Sequence, residues 1–227
     1  SLAGLLYFFS QYLQLVRGCS TLQAGLIELP TSLASIAVIA VVAAAVRRLG
    51  NGRALGGGLI LAAAGLLVVA VGESHGGIVV ICIGLLVIGA GVGLAFTVST
   101  GAVLGSVPAD RAGAASAISE TGLELGVALG VAVLGTIQDV GYRLLLGRPP
   151  AGLPDRVVDA AEQSLATLSG VIDQADPGQA RLLGHAQTAF THAMQATAVI
   201  AAGILLVAGV MAARRVPATS ETSEETA

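Results

Sequence analysis

The sequence predicts an all-α membrane protein of six spanning helices with a long, partly helical external loop. Three observations predict it. Of 227 residues, 55% are hydrophobic and only 11% charged, and the mean hydropathy is +0.86, more apolar than one soluble core needs. The apolar residues also gather in six continuous runs, most close to the roughly 20 residues that cross a hydrocarbon layer. Finally, those runs lack the period-two alternation that a lipid-facing barrel strand requires.

The runs are residues 2–16, 22–46, 54–72, 77–107, 112–137 and approximately 189–213. The first is short, and the chain is apolar from Ser1 with no charged leader, so the sequence reads as beginning partway through a longer protein. Short polar turns join the first five runs: "RGCST", "RRLGNGR", "ESHG" and "PADR". This divides the chain into five spans over 1–137, an external loop over 138–188, a last span over 189–213 and a disordered polar tail over 214–227.

Within the loop, Val157, Ala161, Leu165, Leu168 and Ile172 recur with helical spacing across residues 154–172, the pattern of an amphipathic helix. Asp176 then reads as an N-cap with Pro177 at the first position of a second helix. The excursion is expected to run back into the last span and to serve as a passive cap rather than a lid. Arg47, Arg48, Arg53, Arg111, Arg214 and Arg215 fall on one side of the membrane, whereas the short loops opposite hold only Arg17. Positive charge is retained inside, so both ends are expected in the cytoplasm, although Arg143 and Arg148 near a helix end count against it.

The fifth span carries the residues that call for chemistry. On a helical wheel Ser116 and Glu124 lie about 40° to either side of Glu120, forming one polar stripe. Gly122, Gly126 and Gly130 lie about 160–280° round and form a small-residue ridge that would let a neighbouring helix approach. A carboxylate facing lipid costs about 2.5–3.5 kcal/mol on insertion scales, so Glu120 and Glu124 should face a wet cavity or a partner. Such a pair can hold a proton or exchange it for a cation. The plainer reading is that they snorkel to the headgroups or pair with Arg111, but about 13 Å of helix separates Arg111 from Glu120.

Glu28 is a third intramembrane acid, two residues before Pro30, with an interfacial position as its plainer reading. Glu73 and His75 read as parts of a solvated turn. In the first span, Tyr7, Gln11 and Gln14 make a polar stripe that could line a pocket, and Tyr7, Phe8, Phe9 and Tyr12 could attract an organic cation. An aromatic belt or lipid-facing packing explains the same residues. Gly89, Gly93, Gly101 and Gly105 repeat at four-residue spacing, which indicates close helix packing.

Other classes find little support. The net charge of −3 is scattered, and no basic patch interleaves with aromatics, which argues against nucleic acid. Cys19 and Cys82 are far apart and read as inert thiols. His75, His185 and His192 form no metal-ligand pattern, no serine sits in a nucleophile elbow, and no lysine completes a phosphate loop. Neither an enzyme nor a cofactor is expected.

Three stretches resemble a known family. "YLQLVRGCSTLQAGLIELP" resembles the region of the ninth and tenth helices of the fourteen-helix drug:proton antiporters of the major facilitator superfamily, the QacA/EmrB-like group. "AGAASAISETGLELGVALGVAVLGTI" is similar to the thirteenth helix of its QacA-like members, and "RRLGNGRAL" to a superfamily loop, here without the usual acid before its arginines. The resemblance implies a carboxy-terminal six-helix half-bundle of a major facilitator fold. The amino-terminal half would be its partner, in a bacterial-type cytoplasmic membrane.

It also implies that Glu120, Glu124 and Glu28 serve cation recognition and proton coupling. The expected function is multidrug efflux of amphipathic or cationic compounds in exchange for protons. Export of an endogenous lipid, antibiotic or siderophore is an alternative, and a structural or sensory membrane module is another of a different class.

Overall fold

The computed structural model describes residues 2–75, 77–147, 153–173 and 176–215, leaving aside the side chains of residues 2–8, 74 and 75. All regular structure among them is helical: α1 Leu2–Leu15, α2 Thr21–Ala37, α3 Ile39–His75, α4 Ile78–Gly105, α5 Ala112–Leu146, α6 Asp155–Gln163, α7 Leu165–Val171 and α8 Pro177–Arg215. Four of these, α3, α4, α5 and α8, are long and apolar enough to cross a membrane.

A capping box starts α2. The Ser20 hydroxyl accepts from the Gln23 amide at 3.3 Å, and the Gln23 side chain accepts from the Ser20 amide at 2.9 Å. The helix continues through Pro30 and ends at Ala37, so the run expected over 22–46 is shared between α2 and the start of α3. The reversal expected at "RRLGNGR" falls inside α3, at Gly50, whose φ of 78° is open to glycine at little cost.

Beyond Gly50, α3 and α4 pack as an antiparallel pair joined by glycines. Gly58, Gly65 and Gly72 are seven residues apart and share one face of α3. A Cβ on Gly58 would come within 2.7 Å of the Gly91 carbonyl oxygen, one on Gly65 within 2.7 Å of Ile88, and one on Gly72 within 2.9 Å of Ile81. A second face of α4 sets Gly89 and Gly93 against the backbone of Thr31 and Ser35 in α2. Two residues before Gly58, Gly56 meets Gly209 and Ala213 of α8. Gly101 and Gly105 do not share this role, because a Cβ on either would meet nothing within 4 Å in the chain.

The helix α5 continues past residue 137 to Leu146, and α8 begins at Pro177, well before residue 189. Burial explains the extension of α5. Leu134, Gln138, Tyr142 and Leu146 recur every fourth residue on its covered side, and the Tyr142 hydroxyl donates to the Ala161 carbonyl at 2.9 Å. The amphipathic stretch forms two helices rather than one, parted at Ser164, where the backbone is extended and the hydroxyl caps Thr167 at 3.1 Å. Its expected apolar face is buried at Val157, Ala161, Leu165 and Leu168. Asp176 caps α8 as expected: one carboxyl oxygen accepts from the Gly178 amide at 2.7 Å and the Gln179 amide at 3.4 Å. These bonds, that of Gly178 foremost, hold the carboxyl below the ordinary range for aspartate.

Candidate functional site

The acidic stripe lies on the least covered of the four long apolar helices. In its most apolar 18 residues only 6% of α5 is buried, against 50% of α3. The buried residues of α5 are Ala115 near one end and Leu134, Gln138, Tyr142 and Leu146 towards the other. Nothing between them is buried by this chain. Ser116, Glu120 and Glu124 are all exposed, and no ion pair joins Arg111 to either acid among the described residues.

Where α5 passes α4, a recess of about 290 Å³ opens, lined by Phe96, Ser99 and Thr100 of α4 and by Ser116, Ser119 and Glu120 of α5. Its chemistry follows from its walls. Hydroxyls can hydrogen-bond a carboxylate or hold water beside it, and an aromatic face next to an acid suits an organic cation. Ser99 and Thr100 are partners that the sequence reading missed; the hydroxyl cluster "TVST" in an otherwise apolar span was the available signal. Glu124 lies one turn further along the helix and is not part of this wall.

Two of the three ridge glycines make no close packing contact among the described residues. A Cβ on Gly122 or Gly126 would meet nothing within 4 Å, and Gly122 lines the same recess as Glu120 instead of lying apart from it. Gly130 borders a separate apolar hollow with Leu129, Val133 and Ala201. The close-packing glycines are those of α3 and α4, because those helices, unlike the middle of α5, have backbones beside them.

The other expected site residues divide between two further places. Gln11 lines a cavity of about 310 Å³ with Gln138, Asp139, Tyr142 and Phe190. Gln14 donates to the Ser10 hydroxyl at 3.2 Å and accepts from Thr21 at 3.5 Å. Ser10 also lies within hydrogen-bonding reach of the Glu28 carboxyl, whose Oε1 is buried with no hydrogen-bond partner among the described residues. The polar residues of α1 thus meet α2 and the outer part of α5, not the Glu120 recess. The side chain of Tyr7 lies outside the described residues.

Two polar features run against expectation. Glu73 is buried, 7% exposed, rather than solvated in a turn, where the end of α3 packs against the start of α4 at Gly72 and Ile81; the His75 side chain is outside the described residues. Gln138, placed in the loop by the sequence reading, is also buried. It donates to the Phe190 carbonyl at 3.3 Å and accepts from Thr197 at 3.3 Å, tying α5 to α8.

No family model matches the chain. Its sequence is 40% identical over 209 residues to the multidrug efflux pump LfrA of Mycolicibacterium smegmatis, covering 91% of this chain and 41% of that pump. It is 29% identical over 191 residues to the methyl viologen resistance protein SmvA of Salmonella typhimurium, covering 84% of this chain and 38% of the relative. The chain is a homologue of multidrug efflux pumps of the major facilitator superfamily.

These relatives belong to the drug:proton antiporters of that superfamily. They are transporters and not enzymes, and with its long apolar helices the chain is a membrane protein. Further similarity joins it to the multidrug resistance protein Stp of Mycobacterium tuberculosis, 37% identical over 134 residues, 59% of this chain and 25% of the relative. The chain spans about two fifths of the length of LfrA and SmvA.

Proposed function

We propose that the chain forms the carboxy-terminal half of a proton-coupled efflux transporter that exports amphipathic or cationic compounds by alternating access. Six crossings would be made by α1, by α2 with residues 39–49, by residues 51–75, and by α4, α5 and α8, with both ends in the cytoplasm. The uncovered middle of α5 would face the amino-terminal half across a cavity.

The observation that carries this reading is the Glu120 recess, where a carboxyl, hydroxyls and an aromatic ring line one opening on a helix the chain leaves bare. Ionised Glu120 would hold a cation there. Protonation would remove the attraction and release it outward, and loss of the proton towards the cytoplasm would restore the site. Glu124, one turn away on the same stripe, would be the second group to bind either ion, and Glu28 a third at the α1–α2 contact.

Glu120→Gln and Glu124→Gln in the full-length protein test the mechanism. Each is expected to lower resistance to cationic drugs at least tenfold and to abolish drug-evoked proton movement in inverted vesicles. Unchanged resistance and unchanged proton movement in both variants would sink it. One observation favours a second cargo, a compound the cell itself makes: the chain is 29% identical over 138 residues to the tetracenomycin C resistance and export protein of Streptomyces glaucescens. Accumulation of a metabolite in a deletion strain would favour that cargo.

A further inference from the structure

Glu73 lies at the end of α3, and both of its carboxyl oxygens are buried without a hydrogen-bond partner among the described residues. Burying an ionised carboxylate in that state costs far more than burying the neutral acid. The C-terminal end of α3 adds a partial negative charge beside it, which disfavours ionisation further.

No ion pair to Glu73 is present among the described residues. Packed along α3, α4 has no charged residue from Ile78 to Gly105. From α1 come Tyr12 and Arg17; Tyr12 is within electrostatic reach of both Arg17 and Glu73, but Arg17 is exposed and makes no ion pair among the described residues. From α8 come His185, whose Nε2 lies 3.2 Å from the Leu146 carbonyl, and His192, whose Nδ1 lies 3.3 Å from Gln195. On α2, Glu28 has Ser10 as its neighbour.

We propose that Glu73 is a proton-binding site, whose carboxyl carries a proton while the α3–α4 end is packed and ionises when that end opens. The proton passes to the water so admitted. The site is separate from the Glu120 recess and does not depend on the role assigned there.

Infrared difference spectroscopy of the full-length protein in proteoliposomes tests it. A carbonyl stretch from a protonated carboxylic acid, shifted down in heavy water, is expected in the wild type at neutral pH. It should vanish in Glu73→Gln and persist in Glu120→Gln, Glu124→Gln and Arg17→Gln, which separates this proposal from the transport mechanism. Because glutamine reproduces the shape of the neutral acid, Glu73→Gln should fold and melt at or above the wild-type temperature. Its melting temperature should also fall less steeply as pH rises above the ordinary glutamate range. Persistence of the band in Glu73→Gln would overturn the proposal. So would a Glu73→Gln variant that fails to fold or melts well below wild type at every pH, as expected had an ionised Glu73 been holding the structure.

Discussion

Asp176 illustrates how one side chain sets the start of a 39-residue helix. The first amides of any helix lack carbonyl partners. Here the Asp176 carboxylate takes two of them and also accepts from the Gln179 side chain at 3.1 Å. Asp176→Ala is expected to speed hydrogen exchange at the amides of Gly178 and Gln179 while leaving the middle of α8 unchanged. The same bonds fix the sign of a pH effect. Since the folded-state pKa is depressed, the contribution to stability is complete above the ordinary aspartate range and is lost as pH falls through the lowered value. Fraying of the first turn of α8 should therefore appear only in acid, below the range where a free aspartate titrates, as read by amide exchange against pH.

Glycine spacing matters at the level of whole helices, and only where a partner is present. Both α4 and α5 carry glycines at four-residue intervals, yet Gly89 and Gly93 of α4 meet the backbone of α2, whereas a Cβ on Gly101 or Gly105 of α4, or on Gly122 or Gly126 of α5, would meet nothing within 4 Å. A Cβ on Gly91 would run into Ala62 and the Gly58 carbonyl, both backbone atoms that cannot turn aside. Gly91→Leu is accordingly expected to lose more than the roughly 1–3 kcal/mol typical of an overpacked core. Gly101→Leu should be accepted within this chain. Expression level and melting temperature of the two variants in the full-length protein provide the comparison, and equal behaviour would contradict the packing described for α3 and α4.

For the molecule as a whole, the bare middle of α5 is the dominant fact. Leu125 and Leu129 are 59% and 65% exposed, and the carboxyls of Glu120 and Glu124 share the same stretch. Lipid suits the leucines but not the acids, so under the proposed function this helix needs both a partner and a wet surface. Residues 1–227 expressed alone in membranes are expected to be degraded several-fold faster than when co-expressed with an amino-terminal half. Equal half-lives would show that α5 is content in lipid and would argue against the cavity.

The sequence by itself determined the class of the protein, its apolar segments and the stripe of Ser116, Glu120 and Glu124. Each of these follows from composition or from the 3.6-residue repeat, which are local properties. The cap at Asp176 was legible for the same reason, since a cap is completed within four residues. Only the tertiary structure decided which glycines pack, because a glycine becomes a contact when another backbone arrives. It also put Ser99 and Thr100 opposite Glu120, carried α5 on to Leu146, and buried Glu73. Those outcomes depend on residues far apart in the chain meeting in space, and burial, unlike helical periodicity, is set by what lies on the other side.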